Sequence, residues 1–317
     1  MRGKALIAFV AALALGLARS AARPAAAEIT PQMVILDTDI GDDIDDAFAL
    51  ALVLRSPEIE VLGITTEFGD TELRARLLDR YLKAVGRTDI PVAAGGATAA
   101  PNHFTQAEYA RQEPDRRHAG AVDFLLAQIR AHPGAITLIC IGPPVNLQAA
   151  LARDPATFSK LKRVVMMGGS IYRGYDGAGG ALTLPSPEWN VKCDPAGARA
   201  LLASGVPVFL LPLDSTQVHL PLPELLAIVE HGSPLTDQLT LLYHQWAGNR
   251  EWPEPTLYDP VAVTYALRPE LCPARPMRLE VDSQGYTRPA AGAPNAEVCL
   301  HSDEDGFLHF LLSRILQ

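Results

Sequence analysis

Met33-Val34-Ile35-Leu36-Asp37-Thr38-Asp39-Ile40-Gly41-Asp42-Asp43-Ile44-Asp45-Asp46-Ala47 decides how this chain is read. Apolar residues run straight into six carboxylates within ten positions, 37–46, and a helix-spaced pattern, 46–55, starts at once. A short apolar run feeding a helix through a polar turn is a unit of α/β architecture. The unit recurs. Segments 33–37, 61–66, 136–142, 163–167 and 206–211 have the β-branched character of interior parallel strands. Segments 46–55, 71–85, 121–131 and 195–203 carry apolar residues at helical spacing. The expected fold is α/β: a mostly parallel sheet with helices on both faces. Such sheets bind ligands beyond the carboxyl ends of their strands. Here each strand runs into a polar or glycine-rich stretch, at 37–46, 67–70, 142–146, 168–170 and 214–217.

Carboxylates crowded this closely repel, and partial burial raises each one's pKa. A bound cation removes that penalty, and oxygen-only ligands favour calcium or magnesium. A solvated acidic turn at a helix N-terminus is the plainer alternative, but the apolar strand directly before the run argues against it. An EF-hand would need Glu at the twelfth position counted from Asp37, and that residue is Phe48. A haloacid-dehalogenase-type phosphatase also starts with Asp-x-Asp after a strand, and is the less favoured enzyme reading because Gly41 stands where Thr or Val is usual.

The N-terminus reads as a secretory signal. Arg2 and Lys4 precede an uncharged apolar run at 7–18, and small residues follow up to Ala25-Ala26-Ala27. The run is short of the ~20 residues that span a bilayer. The expected organisation is therefore a signal peptide, 1–27, and one catalytic domain, 28–317, periplasmic or secreted and with no membrane attachment after cleavage. Losing 1–27 takes the formal charge from −9 to −13, because that segment holds four basic and no acidic residues. An acidic chain without a basic stripe is a poor partner for nucleic acid polymers. The four cysteines show no zinc-type pairing. Export would permit a disulfide, with Cys272–Cys299 one conceivable pair.

These residues resemble the inosine–uridine-type nucleoside hydrolases, whose mark is a strand followed by Asp-x-Asp-Pro-Gly-x-Asp-Asp-Ala. The match here is Asp37-Thr38-Asp39-Ile40-Gly41 and then Asp45-Asp46-Ala47, with Ile40 for the proline and two extra residues in the loop. The likeness continues through Gly63-Ile64-Thr65-Thr66 with Gly69-Asp70, and Gly142-Pro143-Pro144-Val145-Asn146-Leu147. It goes on through Met166-Met167-Gly168-Gly169, Glu188-Trp189-Asn190 and Tyr258-Asp259-Pro260-Val261-Ala262. The resemblance implies a Rossmann-like nucleoside hydrolase architecture and calcium-dependent hydrolysis of ribonucleosides to ribose and free base, as in purine and pyrimidine salvage. It also implies a homodimer or homotetramer.

Carried over by position, the resemblance makes Asp39 a calcium ligand and the general base on the attacking water. Asp46 and Asp259 are further carboxylate ligands, and the Val145 carbonyl completes the protein's set. Asp45, Asp70, Glu188 and Asn190 would hold the sugar, with Asn146 and Tyr258 also facing substrate. The two extra loop residues leave either Asp43 or Asp45 to meet the ribose, and leave Asp42 dispensable. Tyr258 stands where many members have a histidine, and a phenol is a poor proton donor near neutrality. Base activation would then fall to stacking by Tyr243, His244, Trp246 or Trp252, or to His118. Leu182 stands where an asparagine is usual. That departure, with Tyr258, keeps a second reading open: a catalytically weak nucleoside- or sugar-binding protein that retains the metal site.

Overall fold

The computed structural model describes residues 30–99 and 104–317; the expected signal segment lies outside the described residues. Nine strands form the main sheet. In chain order they are β1 (Gln32–Thr38), β2 (Ile59–Thr66), β3 (Val92–Ala94), β4 (Ala119–Gly120), β5 (Thr137–Cys140), β6 (Arg163–Met167), β7 (Val208–Leu211), β8 (Ala274–Met277) and β11 (Ala296–Cys299). A separate hairpin pairs β9 (Leu279–Val281) with β10 (Thr287–Pro289). The spatial order is β4-β3-β2-β1-β5-β6-β7-β11-β8, parallel except where β8 runs antiparallel to β11.

The five strands expected from sequence are β1, β2, β5, β6 and β7. Strands β3, β4, β8 and β11, the outer two at each end of the sheet, have two to four residues each and no sustained apolar run, which is why the sequence does not announce them. In β1 the side chains alternate between two cores. Val34 and Leu36 join the aliphatic cluster beneath helices Asp45–Leu54, Thr71–Ala84, Pro234–Ala247, Tyr258–Leu267 and Glu304–Ile315. Ile35 joins the cluster beneath Ala121–Ala131, Val145–Arg153 and Pro195–Leu202. Both faces are covered, as parallel sheets require. Chain order reverses between β1 and β5, opening a crevice at the carboxyl ends of those strands.

Helix Asp45–Leu54 carries the site. Its sequence, DDAFALALVL, is apolar all round after the first two residues, and every residue from Asp45 to Val53 is buried. A helix of that kind belongs in the interior, so its two N-terminal carboxylates are buried with it. No helix among the described residues is long and apolar enough to cross a membrane. Cys272 and Cys299 are disulfide-bonded, while Cys140 and Cys193 are free.

Candidate active site

A cavity of about 520 Å³ opens at the crevice beside β1. Asp39, Asp43, Asp45, Asp46, Glu188, Asn190, Tyr258 and Asp259 all line it, so eight of the expected site residues meet in one place. Two helix N-termini build its acidic floor. Asp45 and Asp46 open one helix, Asp259 sits in the first turn of Tyr258–Leu267, and the Asp259 N–H donates to Asp45 Oδ2 at 3.2 Å. Peptide dipoles at both N-termini favour negative charge there, yet they do not neutralise it. Oxygens of Asp45, Asp46 and Asp259 lie within 4.8 Å of one another, all buried. Burial first, and the neighbouring carboxylates second, push all three well above the ordinary aspartate range. Burial likewise lifts Asp39 to about 7, partly opposed by Arg74. An all-oxygen donor set with this much uncompensated charge fits a hard divalent cation.

The longer loop has a clear register. Asp45 faces the acidic floor, whereas Asp43 faces Trp246 and Arg250 across the cavity. Asp42 is not idle. It pairs at 2.8 Å with the guanidinium of Arg74, which is fully buried. Arg74 also donates to the carbonyls of Asp39, Ile40 and Phe68, fixing the loop backbone that proline would otherwise stiffen. The sequence reading missed Arg74, one of four basic residues in its helix, whose partners in the acidic loop are 32–35 residues away.

Glu188 caps a short helix. Its oxygens accept from the N–H groups of Gly169, Asn190 and Val191 at 2.8–3.1 Å, and burial lifts it to about 7. The Asn190 amide donates to the carbonyls of Ile141 and Met167, both at 3.2 Å, leaving its Oδ1 for a ligand. Tyr258 is held above the ordinary phenol range by burial and by Asp45.

Three expected residues do not line the cavity. Val145 opens helix Val145–Arg153, beyond a Gly-Pro-Pro turn that leads the chain off the strand end. The backbone residue on the wall at that point is Ile141, one residue past β5. Asn146 is buried below, donating to Asp37 Oδ1 at 2.8 Å and to the Thr66 carbonyl at 3.1 Å. Asp70 is exposed and caps helix Thr71–Ala84 by accepting from the Leu73 N–H. His118 also stands apart, held between Glu72 at 2.6 Å and Asp79 at 2.9 Å. Of the four aromatic candidates only Trp246 reaches the cavity; Tyr243, His244 and Trp252 form a neighbouring cluster. Arg250, Tyr175 and Trp189 also line the wall, with Arg250 stacked 4.2 Å from the Trp246 ring.

The sequence profile described as inosine-uridine preferring nucleoside hydrolase matches residues 34–309. A pyrimidine-specific ribonucleoside hydrolase, RihA of Escherichia coli O1:K1 / APEC, is 30% identical over 89% of this chain and 97% of its own length. Among solved structures, the plant nucleoside hydrolase PpNRh1 superposes with a TM-score of 0.78 at 25% identity, covering 90% of this chain and 99% of that one. A purine-preferring ribonucleoside hydrolase from Gardnerella vaginalis gives 0.75 at 25% identity, over 90% and 98%.

Proposed function

The chain belongs to the inosine-uridine preferring nucleoside hydrolase family, and from that premise we propose a cation-dependent hydrolysis of ribonucleosides carried by Asp39. The observation that carries the reading is the convergence of Asp39, Asp45, Asp46 and Asp259 on one buried floor, with Arg74 the neighbouring cation that partly opposes their charge. We assign Asp39, Asp46 and Asp259 as carboxylate ligands of calcium, with Asp45 beside them. The backbone carbonyl of the set is that of Ile141 rather than Val145, because Ile141 is the residue on the cavity wall. Calcium supplies Lewis acidity toward water and an affinity for vicinal hydroxyls when it is bound.

Cleavage of an N-glycosidic bond passes through an oxocarbenium-like state, with positive charge on the sugar ring. Asp45 and Glu188 flank that charge and stabilise it. Asp39, lifted toward neutrality by its burial, takes the proton from the attacking water. Water attacks directly, with no glycosyl-enzyme intermediate, so the anomeric centre inverts. Tyr258 is too weak an acid to protonate the departing base. That base leaves instead against the Trp246 ring and the Arg250 guanidinium, a stacking face and a hydrogen-bond donor on one wall. Relatives include pyrimidine-specific and purine-preferring enzymes, so the test uses both base types.

The test is reducing-sugar release by the metal-loaded protein from uridine, cytidine, inosine and adenosine, with and without chelator. Turnover lost on chelation and restored by calcium is the expected result. Tight nucleoside binding without turnover across the panel would overturn it in favour of a binding protein. Export is part of the same proposal, supported by the signal-like residues 1–27 and by the Cys272–Cys299 disulfide, a bond at home in oxidising compartments. Cell fractionation with N-terminal mass determination checks it; a full-length cytoplasmic product would refute it.

A further inference from the structure

We propose that Tyr175 is a specificity-determining residue, donating its hydroxyl proton to the 5′-hydroxyl of the sugar. The inference rests on the ribonucleoside reading above and adds a contact to it.

Tyr175 lies in no regular element, yet its backbone is held on every side. The side-chain amide of Gln217, itself only 4% exposed, brackets it. Gln217 Oε1 accepts from the Asp176 N–H at 2.7 Å, while Nε2 donates to the carbonyls of Gly174 at 3.1 Å and Leu213 at 2.8 Å. Thr183 Oγ1 donates to the carbonyl of Tyr175. Arg173 and Asp176 close the turn with a forked ion pair at 2.6 Å. The strand-like return packs so tightly that a Cβ on Gly174 would lie 2.2 Å from the Leu184 carbonyl oxygen. The strap therefore has one way to present its tyrosine, which reaches the cavity edge-on to Tyr258 with ring centres 6.1 Å apart.

The direction of the hydroxyl follows. Its oxygen accepts from the Trp189 N–H at 2.8 Å, and its own proton has no acceptor among the described residues. A phenol tied in this way keeps its O–H for a ligand. The phenol stays protonated, since burial and the Glu188 carboxylate oppose its ionisation. With the vicinal diol of a ribose at the acidic floor, the opposite ring edge carries the hydroxymethyl group toward Glu188 and Tyr175. Glu188 is an acceptor there, already oriented by three backbone N–H groups. Tyr175 supplies the donor, so a free 5′-hydroxyl can accept from one and donate to the other. A 5′-phosphate would face the Glu188 carboxylate and be repelled.

The experiment pairs uridine and inosine with their 5′-deoxy counterparts on metal-loaded wild type, Tyr175→Phe and Gln217→Ala, reading kcat/KM and the ligand-induced shift in melting temperature. Wild type should favour the 5′-hydroxylated substrates by about tenfold, the size of one well-placed hydrogen bond. Tyr175→Phe should erase that preference by lowering only the hydroxylated substrates, and Gln217→Ala, which frees the strap, should reduce it. An active wild type with Tyr175→Phe of unchanged preference, or with equal losses on both substrates, overturns this proposal alone. Wild type that neither hydrolyses nor is stabilised by any nucleoside overturns the functional reading and this one with it. The melting shifts test the contact even if turnover is absent, and unliganded melting curves show whether each variant folds.

Discussion

Removing the cation should destabilise the protein more at high pH than at low pH. Burial lifts Asp39 from the ordinary 3.8 to about 7, which corresponds to about 4 kcal/mol against its ionised form. Asp45, Asp46 and Asp259 are displaced in the same direction, by burial and by one another. Their penalties are coupled and do not add, so the Asp39 figure sets the scale for the cluster. The sign follows from proton counting. Between about pH 4 and 7 the metal-free native state holds protons that the unfolded chain has released, so its stability falls as pH rises through that window. Above it the full penalty stands. Bound calcium needs the ionised carboxylates and removes the penalty, so its stabilising effect grows with pH. In a chain of this size about 1 kcal/mol moves the melting temperature by about 2–4 °C. Calcium against chelator should therefore separate the melting curves by roughly 10 °C at pH 8, and by only a few degrees at pH 5. Differential scanning fluorimetry across that range measures it. Equal separation at both pH values, or none at pH 8, would refute the assignment of the acidic floor as a cation site.

Asp39→Asn should lower kcat by about 10²–10⁴, the usual contribution of a general base, and should shrink the calcium-induced melting shift because it also weakens a cation ligand. Loss of less than tenfold would remove Asp39 from that role. Arg74→Met should cost about 3–5 kcal/mol, because it removes a buried ion pair with Asp42 and frees the loop carbonyls. Asp42→Ala should also destabilise, by removing the carboxylate hydrogen-bonded to the buried guanidinium, contrary to the expectation that Asp42 is dispensable; chemical denaturation measures both. Tyr258→His should raise purine turnover and give it a new dependence near pH 6.5, since imidazole titrates where the phenol does not. An unchanged pH profile would show that position does not serve the leaving base. Reducing Cys272–Cys299, which closes a separation of 27 residues, should cost about 3–4 kcal/mol by restoring chain entropy to the unfolded state.

Much was legible before any coordinates. The strands β1, β2, β5, β6 and β7 are read from runs of apolar residues, because interior parallel strands are apolar on both faces. The acid cluster is read from the clash between its charge and the hydrophobic elements on either side of it. Glu188, Asn190 and Asp259 followed from their motifs and indeed line the cavity. What local pattern could not settle is which way a side chain turns at the end of an element. Val145 and Asn146 lie beyond the turn that leaves β5, so Ile141 takes the wall, and Asp70 turns outward to cap a helix.

The same limit explains Arg74, Tyr175 and Arg250, whose roles depend on partners far along the chain or on a strap with no periodicity. Apolar runs and their spacing are enough to say that strands alternate with helices and that carboxylates are trapped where β1 meets its helix. Burial and periodicity are local properties of a chain and leave a local trace. It takes the folded chain to show that Asp45 joins the floor while Asp43 faces Arg250, that Asp42 answers Arg74, and that Tyr175 looks into the cavity. Those outcomes turn on contacts between segments that the sequence separates and the sheet brings together, and a charge finds its partner only once that packing exists.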